Sequence, residues 1–146
     1  NYPQLGALMR KLIGTNGRGL VHSIGRDRAA MLNVWIDKRI FPGAQPPTIR
    51  QMMDMFEPNG LSVLDLENIR LHYAKTLECW LQRYEENVDA ISSMFDETFV
   101  RAWRLYLTGS IAAFTMGRLQ LFQVLFAPSG SRKIPWTRAH VYRDHT

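Results

Sequence analysis

The sequence predicts an α/β fold, in which short buried strands and longer helices alternate. Three apolar stretches carry the strand signal, because each is short and bounded by turn-forming residues: Leu20–Ile24, Leu61–Glu67 and Leu119–Phe126. A long region with helical periodicity separates the second stretch from the third. This order of elements fits an α/β arrangement with a three-stranded sheet.

The first half of the chain is divided by its glycines and prolines. Apolar residues at helical spacing predict a first helix over Leu5–Ile13, which ends near Gly14. Residues 26–47 are predicted to form a loop, because proline and glycine interrupt them repeatedly. Thr48 is positioned to cap a short helix that ends at Pro58-Asn59-Gly60.

Two long helices with wide apolar stripes are predicted between the second and third strands. The first carries its stripe from Ala74 to Ile91, and the second runs from about Asp96 to Met116 with Gly117 as its C-cap. Such stripes need a partner, which is the sheet, the other helix or a bound acyl chain. Packing in a core is the default interpretation.

Length and composition describe one domain. The 146 residues are enough for one compact core, and 46% hydrophobic with 21% charged residues argues against disorder. No apolar run is long enough to cross a bilayer. The chain begins at Asn1 without an initiator methionine, so we expect it to be a fragment of a longer protein.

The single cysteine and the charge balance limit the classes of function. Because Cys79 is the only cysteine, no intrachain disulfide can form, which is compatible with the cytosol. One Cys and four scattered His do not have the spacing of a metal-binding motif. The net charge of +5 favours anionic partners such as phospholipid head groups or nucleic acid, but no nucleic-acid reading motif is present. Part of the excess lies in the basic segment from Ser129 onward.

Two titratable side chains occur where strands end. His22 lies near the end of the first predicted strand, and Tyr73 follows the second at the start of a helix. In open α/β sheets, ligands bind at the carboxyl ends of the strands. On this ground alone, each residue is more often structural. Only together with the resemblance described next do the strand-end positions lead us to expect that His22 and Tyr73 face a common polar pocket.

Four segments resemble one family of enzymes. They are Leu66–Trp80, His22–Gly25, Trp35–Lys38 and Ile40–Gly43, and together they are similar to the C-terminal part of cyclopropane-fatty-acyl-phospholipid synthases. Members of that family transfer a methyl or methylene group from S-adenosylmethionine to unsaturated lipid acyl chains. The resemblance runs in one register from about Asn1 to Phe126.

The resemblance implies a fold and a division of the chain. Residues 1–126 would be the C-terminal part of a Rossmann-like class I methyltransferase domain, with strands and acyl-binding helices. The sheet would be three-stranded and mixed, with Leu119–Phe126 inserted antiparallel between the other two strands. Residues 127–146 are expected to form a poorly ordered basic tail.

The resemblance also implies a site for a bicarbonate ion, which acts as the base in the family. It assigns the bicarbonate-binding histidine to His22, the tyrosine to Tyr73 and a backbone contact to Ile24. The family's cysteine and glutamate would precede Asn1, and Cys79 does not align with that cysteine.

Aromatic residues near these motifs are candidates for substrate binding by residue type alone. An aromatic face attracts a cation, so it could steady the positive charge that forms on the acyl chain. The candidates are Trp35, Phe41 and Trp80.

The cofactor half of such an enzyme is not recognisable in this sequence. Class I methyltransferases bind S-adenosylmethionine on a glycine-rich loop between their first strand and helix. Here Gly14, Gly17 and Gly19 precede a strand. We therefore expect the cofactor to be bound by a part that is missing, and this fragment alone to be inactive.

The resemblance implies partners and a location as well. The partners would be unsaturated acyl chains of membrane phospholipids at a peripheral membrane surface, with no nucleic acid, and the location would be cytoplasmic. A homodimer is compatible with the sequence. Two alternatives stay open: a methyl-branching fatty acid methyltransferase of the same fold, and a non-catalytic lipid-binding module.

Overall fold

The computed structural model describes residues 1–141, in which helices and strands follow the predicted order. The helices are α1 (Tyr2–Ile13), α2 (Val34–Arg39), α3 (Ile49–Met53), α4 (Arg70–Glu86), α5 (Val88–Met94) and α6 (Glu97–Thr115). The strands are β1 (Gly19–Gly25), β2 (Leu61–Asn68) and β3 (Gln120–Pro128). Short 3₁₀ turns occupy Glu57–Asn59 and Arg138–Val141. Within residues 1–141, no helix is both long and apolar enough to cross a bilayer.

The three strands form one sheet in the order β1-β3-β2. The amide of Ile69 donates to the carbonyl of Leu121 (2.9 Å), and the amide of Ser129 donates to the carbonyl of Gly60 (3.0 Å). Early residues of one strand therefore pair with late residues of the other, so β2 and β3 are antiparallel. The predicted insertion of the last strand between the other two is confirmed.

Two glycines in β1 explain how closely β3 lies beside it. A Cβ atom at Gly19 would collide with the ring of Phe126, and one at Gly25 would lie 2.6 Å from the ring of Phe122. This pairing of residues runs in opposite directions along the two strands, so β1 and β3 are also antiparallel. Glycine is required where a large ring lies against the backbone.

The chain divides into two compact units, and residues of all three strands occur in both. Unit 1 comprises residues 1–21, 51–66 and the chain from 124 onward; unit 2 comprises residues 22–50 and 67–123. In unit 1, the rings of Phe56 and Phe126 pack with their centroids 5.3 Å apart. The Asn59 amide donates to the carbonyl of Pro3 (3.1 Å) and so joins α1 to the 3₁₀ turn.

Unit 2 is built around the pair of helices α4 and α6. Their buried side chains form one cluster with a residue of β3: Ala74, Leu77, Tyr84, Val100, Leu107, Phe114 and Leu121. The Tyr84 hydroxyl donates to the carbonyl of Val100 at 2.8 Å. The Arg70 guanidinium donates to the carbonyls of Phe114 (2.7 Å) and Thr115 (3.0 Å), which satisfies the last turn of α6.

Several predicted boundaries were wrong, and in each case a local polar residue is the reason. The segment predicted as a loop contains α2, because the Asn33 side chain caps it by accepting a hydrogen bond from the amide of Trp35 (2.9 Å). The long helix predicted through Ile91 is interrupted at Asn87, whose side chain donates back to the carbonyl of Arg83 (2.8 Å).

The C-terminal boundary also differs from the expected one. Strand β3 continues to Pro128 and includes two residues assigned to the basic tail. Gly117 follows the C-cap residue Met116 with φ 71°, a left-handed conformation that favours glycine. The expectation of a poorly ordered tail stays a prediction, and residues 142–146 lie outside the described residues.

Candidate active site

A cavity of about 1170 Å³ lies within unit 2. The segment between β1 and α3 supplies much of its wall, and α4 and α6 supply most of the rest. Most lining residues are aliphatic, aromatic, glycine or proline, so the pocket is less polar than predicted. Its volume slightly exceeds that of common small-molecule pockets, about 300–1,000 Å³, and suits a long ligand.

His22 and Tyr73 both line this cavity, as the sequence analysis predicted for a common pocket. His22 is exposed on β1, and its Nδ1 lies 3.1 Å from the side-chain nitrogen of Gln123 on β3. If Gln123 donates, the neutral imidazole accepts at Nδ1 and carries its proton on Nε2. That nitrogen is then a hydrogen-bond donor.

Tyr73 is held in the cavity wall by two other aromatic rings. Its ring meets Phe114 edge-to-face at 4.9 Å and Trp80 edge-to-face at 6.0 Å between centroids. Burial raises the pKa of the Tyr73 hydroxyl above its usual value, so this group stays protonated at neutral pH. Among the described residues, the Tyr73 hydroxyl makes no hydrogen bond with protein and is available to a ligand.

Tyr106 is a second half-buried tyrosine in the same lining. Its pKa is raised, first by burial and then by electrostatic interaction with Tyr73, while a hydrogen bond with Ser110 opposes the shift. The cavity is therefore lined by two protonated phenol groups, those of Tyr73 and Tyr106. Tyr106 lies within the second long helix predicted from the sequence, and helical spacing alone carries no signal that separates it from its packing neighbours.

The other candidates divide into lining and supporting residues. Ile24, Trp35 and Phe41 line the cavity with His22 and Tyr73. Trp80 is outside the lining, and its ring meets that of the lining residue Tyr73 edge-to-face. Its assignment to direct substrate contact is therefore not supported by its position.

A buried glutamine, Gln120, links the strand ends beside the cavity. The Gln120 amide donates to the Asp27 carboxylate (2.9 Å) and to the carbonyl of Gly117 (3.0 Å), and its oxygen accepts from Asn68 (2.8 Å). Only 3% of Gln120 is exposed. This network joins Asp27, two residues beyond β1, to the end of β2, and nothing in the apolar pattern predicted it.

Arg26 is a cationic lining residue with part of its guanidinium committed to the chain. It donates to the carbonyls of Ala30 (3.1 Å) and Met31 (3.0 Å), while its buried Nε has no protein partner in residues 1–141. Arg28 and Arg118 are exposed lining residues. The cavity therefore combines an apolar wall with a net positive charge, since three arginines and the Asp27 carboxylate line it. The described residues contain no cluster of His, Cys, Asp and Glu suited to a metal.

Comparison with known proteins identifies the class to which this architecture belongs. The model of the mycolic acid cyclopropane synthetase family matches residues 1–124. The chain therefore belongs to the mycolic acid cyclopropane synthetase family, a family of S-adenosylmethionine-dependent methyltransferases. The resemblance and the α/β fold expected from it are confirmed.

Individual relatives cover the chain well but are themselves much longer. A probable fatty acid methyltransferase of Pseudomonas putida is 34% identical over 135 residues, which are 90% of this chain and 34% of the relative. The cyclopropane-fatty-acyl-phospholipid synthase of Escherichia coli K12 is 30% identical over 128 residues, 87% of this chain and 33% of the relative. The chain spans about a third of the length of these relatives.

A solved structure supports the same fold. The mycolic acid cyclopropane synthase CmaA1, solved in complex with SAH and CTAB, superposes with a TM-score of 0.77 at 25% identity. The match covers 86% of this chain and 49% of CmaA1.

Proposed function

We propose that this chain is the acyl-binding part of a methyltransferase that modifies the double bond of a lipid acyl chain with a methyl group from S-adenosylmethionine. The observation that carries the proposal is the large, mostly apolar cavity that holds His22 and Tyr73 in one lining. The substrate class would be unsaturated phospholipid acyl chains, met at a peripheral membrane surface on the cytoplasmic side. The CTAB ligand of CmaA1, named in its structure, is consistent with this proposal.

The apolar wall suits the chemistry because the reaction passes through a cation on the acyl chain. One carbon of the alkene forms a bond to the methyl group as the bond from that methyl group to sulfur breaks. The other alkene carbon is left with a positive charge. Water would capture that carbon, and side chains such as Leu77 and Phe114 exclude it. The rings of Trp35 and Phe41 line the same space and can steady the charge, by about 0.5–2 kcal/mol each.

His22 and Tyr73 suit a small oxyanion. Tyr73 offers an uncommitted hydroxyl, and His22 offers the nitrogen that does not face Gln123. The cationic side chain of Arg26 in the same lining favours an anion further. We assign these donors, with the backbone of Ile24, to a bicarbonate ion, which when bound supplies the base for the proton of the new methyl group; the electron pair of that C–H bond then closes the ring.

The cofactor is assigned to a part of the enzyme outside this sequence. Residues 1–141 contain no glycine-rich turn between a strand and the helix that follows it: β2 joins α4 through Ile69, and the glycine that ends β1 precedes a long irregular segment. We expect this chain alone to bind no S-adenosylmethionine and to transfer no methyl group. Micromolar binding of S-adenosylmethionine in calorimetric titration of the chain would contradict this expectation.

Two neighbouring alanines of α6 test the acyl cavity. Ala113 lines it, whereas Ala112 is exposed on the same helix and is outside the lining. In the Ala113→Phe variant, the added ring fills the space, so affinity for a monomeric oleoyl lysophospholipid should fall at least about tenfold. The Ala112→Phe variant should bind as the parent does. Equal affinities for both variants, with unchanged thermal unfolding, would refute an acyl site in this cavity.

A pair of tyrosines tests the catalytic assignment in a methyltransferase that contains this chain and a cofactor-binding half. The Tyr73→Phe variant should lower kcat by at least about tenfold with little change in KM for lipid, because the hydroxyl serves the base. The Tyr84→Phe variant removes a hydroxyl committed to Val100 outside the cavity, so its kcat should stay close to the parent value. A reversed pattern would remove Tyr73 from the site.

A methyl-branching reaction is the second candidate, since the Pseudomonas relative is a probable fatty acid methyltransferase. Both reactions share the cation, and they differ in whether loss of a proton from the new methyl group is accompanied by ring closure with the electron pair of that C–H bond. Mass spectrometry of the product lipid separates them after derivatisation. A lipid that binds the chain without any turnover in the complete protein would favour the non-catalytic lipid-binding module.

A further inference from the structure

Five aromatic side chains of unit 2 form a continuous series of ring contacts, which we call the aromatic ladder: Phe95, Phe99, Trp103, Tyr106 and Phe41. Along the series, successive ring centroids lie 4.2, 5.9, 5.1 and 5.8 Å apart. The first two contacts are stacked, and the last is edge-to-face. These geometries are favourable for aromatic pairs.

Of the ladder residues, only Tyr106 packs against the core cluster that joins α6 to α4; Phe95, Phe99, Trp103 and Phe41 lie outside that cluster. The buried residues of α6 recur every seven positions at Val100, Leu107 and Phe114 and belong to the core cluster. Phe99 and Trp103 occupy an adjacent face of the helix, and 36% of each residue is exposed. Phe95 and Phe41 are almost half exposed. Exposed apolar residues that are contiguous mark an interaction surface more often than scattered ones do.

One end of the ladder reaches the acyl cavity. Tyr106 and Phe41 are at once its last two rings and part of the cavity lining. Leu105, beside Tyr106 in sequence, also lines the cavity and is 57% exposed. An apolar path therefore leads from the surface at Phe95 to the proposed acyl site.

The charges near the two ends of the ladder differ. Near Phe95, Asp96 caps α6 through the amide of Phe99, and Glu97 pairs with Arg101 at 3.3 Å. At the cavity end, Lys38 and Arg39 are exposed on α2, just before Phe41. Arg28 and Arg118, two exposed residues of the cavity lining, add further positive charge. The negative charge of anionic lipid head groups complements these positively charged side chains at the cavity end of the ladder.

We infer that the aromatic ladder is a membrane-contacting surface, along which an acyl chain of an anionic phospholipid passes from the bilayer into the cavity. Trp and Tyr rings favour the interface between head groups and acyl chains, and Phe favours the apolar layer beneath. A second protein seated on the same face would cover Phe41 and Tyr106, where a lipid must enter. The inference rests on the proposed acyl-binding function of the cavity.

Binding of the chain to lipid vesicles tests the inference. An exposed apolar surface of α1, outside the ladder, serves as the matched control. The test variant is Phe99→Gln with Trp103→Gln, since neither residue lines the cavity. The control is Leu8→Gln with Leu12→Gln, which removes two even more exposed apolar side chains from α1. On vesicles of phosphatidylcholine with phosphatidylglycerol, the test variant should bind at least about tenfold more weakly than the parent, and the control within about twofold.

The basic residues and the cavity provide the other arms of the experiment. Lys38→Gln with Arg39→Gln should abolish the preference of the chain for vesicles that contain phosphatidylglycerol over pure phosphatidylcholine. The ladder variant should still bind monomeric oleoyl lysophospholipid like the parent, because its cavity is intact. If the parent binds no monomeric lipid, the proposed function fails, while vesicle binding still reports on the ladder.

Three outcomes would overturn the inference. The first is parental vesicle affinity in the ladder variant with unchanged helicity by circular dichroism. The second is loss of vesicle affinity in the α1 control alone. The third is a dimer of the parent in sedimentation velocity that the ladder variant dissociates, with no vesicle binding by either protein, because the ladder would then be a contact between copies.

Discussion

The two apolar faces of α6 have similar hydrophobicity and very different surroundings. The face with Val100, Leu107 and Phe114 is buried against α4, with 8% or less of each residue exposed. The face with Phe99 and Trp103 keeps its rings in contact with each other but leaves 36% of each residue exposed. The first face is closed by α4, whereas the second is only partly covered.

The difference shows that an apolar stripe on a helix does not by itself identify core. Burial of the first face removes apolar area from water and stabilises the fold, by about 1.5–3 kcal/mol for each fully buried large side chain. The second face gains only ring contacts of about 0.5–1.5 kcal/mol each. Substitutions on the two faces should therefore separate stability from ligand or membrane binding.

The largest expected effect is on the buried face. Leu107→Ala should lower the free energy of unfolding by about 2–5 kcal/mol, because the side chain is 2% exposed and its removal leaves a cavity in the core cluster. Leu105→Ala is the matched control on the same helix, and it should change stability by no more than about 0.5 kcal/mol. Urea unfolding followed by circular dichroism measures both. Equal losses would mean that Leu105 is covered by contacts absent from the described structure.

A smaller effect separates two tyrosines of α4. Tyr84→Phe should cost about 0.5–1.5 kcal/mol, because the hydrogen bond from its buried hydroxyl to the carbonyl of Val100 (2.8 Å) is lost, while that carbonyl stays within the hydrogen-bonded helix α6. Tyr73→Phe should leave the free energy of unfolding nearly unchanged, since its hydroxyl makes no hydrogen bond with the described residues. The same two variants are expected to show the opposite order in turnover. A destabilisation by Tyr73→Phe as large as that of Tyr84→Phe would show that its hydroxyl serves the fold.

The sequence was sufficient to predict the sheet and the helices that pack on it. The three strand positions and the place of the last strand follow from short apolar runs and from the resemblance, and the buried stripe of α6 follows from helical spacing. The break at Asn87 was missed because the apolar period continues across it, while a single side-chain hydrogen bond decides the local backbone. Periodicity averages over many residues and cannot register one such bond.

The candidate site was only half predictable. His22 and Tyr73 were predicted to share one pocket from their strand-end positions together with the family resemblance, and both line the cavity. Tyr106 and Gln123 were not identified as site residues, because their contacts depend on tertiary packing between elements far apart in sequence. The segment 26–47 was predicted to be a loop, yet its short helix and irregular backbone supply much of the cavity wall.

The smallest expected effect concerns the ion pair that joins α4 to α6 beside the buried face. The Arg104 guanidinium donates two hydrogen bonds to the Glu85 carboxylate, at 2.6 and 2.7 Å. The hydrogen bond from Arg104 lowers the pKa of Glu85 below its usual 4.5, so the pair contributes fully above that pH and loses its contribution as pH falls through the lower value. Both side chains are about two-fifths exposed, and the contribution is therefore small and screened by salt.

The Arg104→Gln variant measures this contribution directly. Its melting temperature should lie slightly below that of the parent at pH 7, and the difference should shrink as the pH is lowered below 4.5 and the carboxylate becomes protonated. The Arg101→Gln variant is the control, because its partner Glu97 lies 3.3 Å away and both side chains are mostly exposed. It should show a smaller difference at pH 7. The Arg104 guanidinium also lies over the Tyr84 ring, 5.9 Å from its centroid. If the difference in melting temperature between Arg104→Gln and the parent stays constant from pH 7 to about 3, this packing, and not the charge of Glu85, causes the effect.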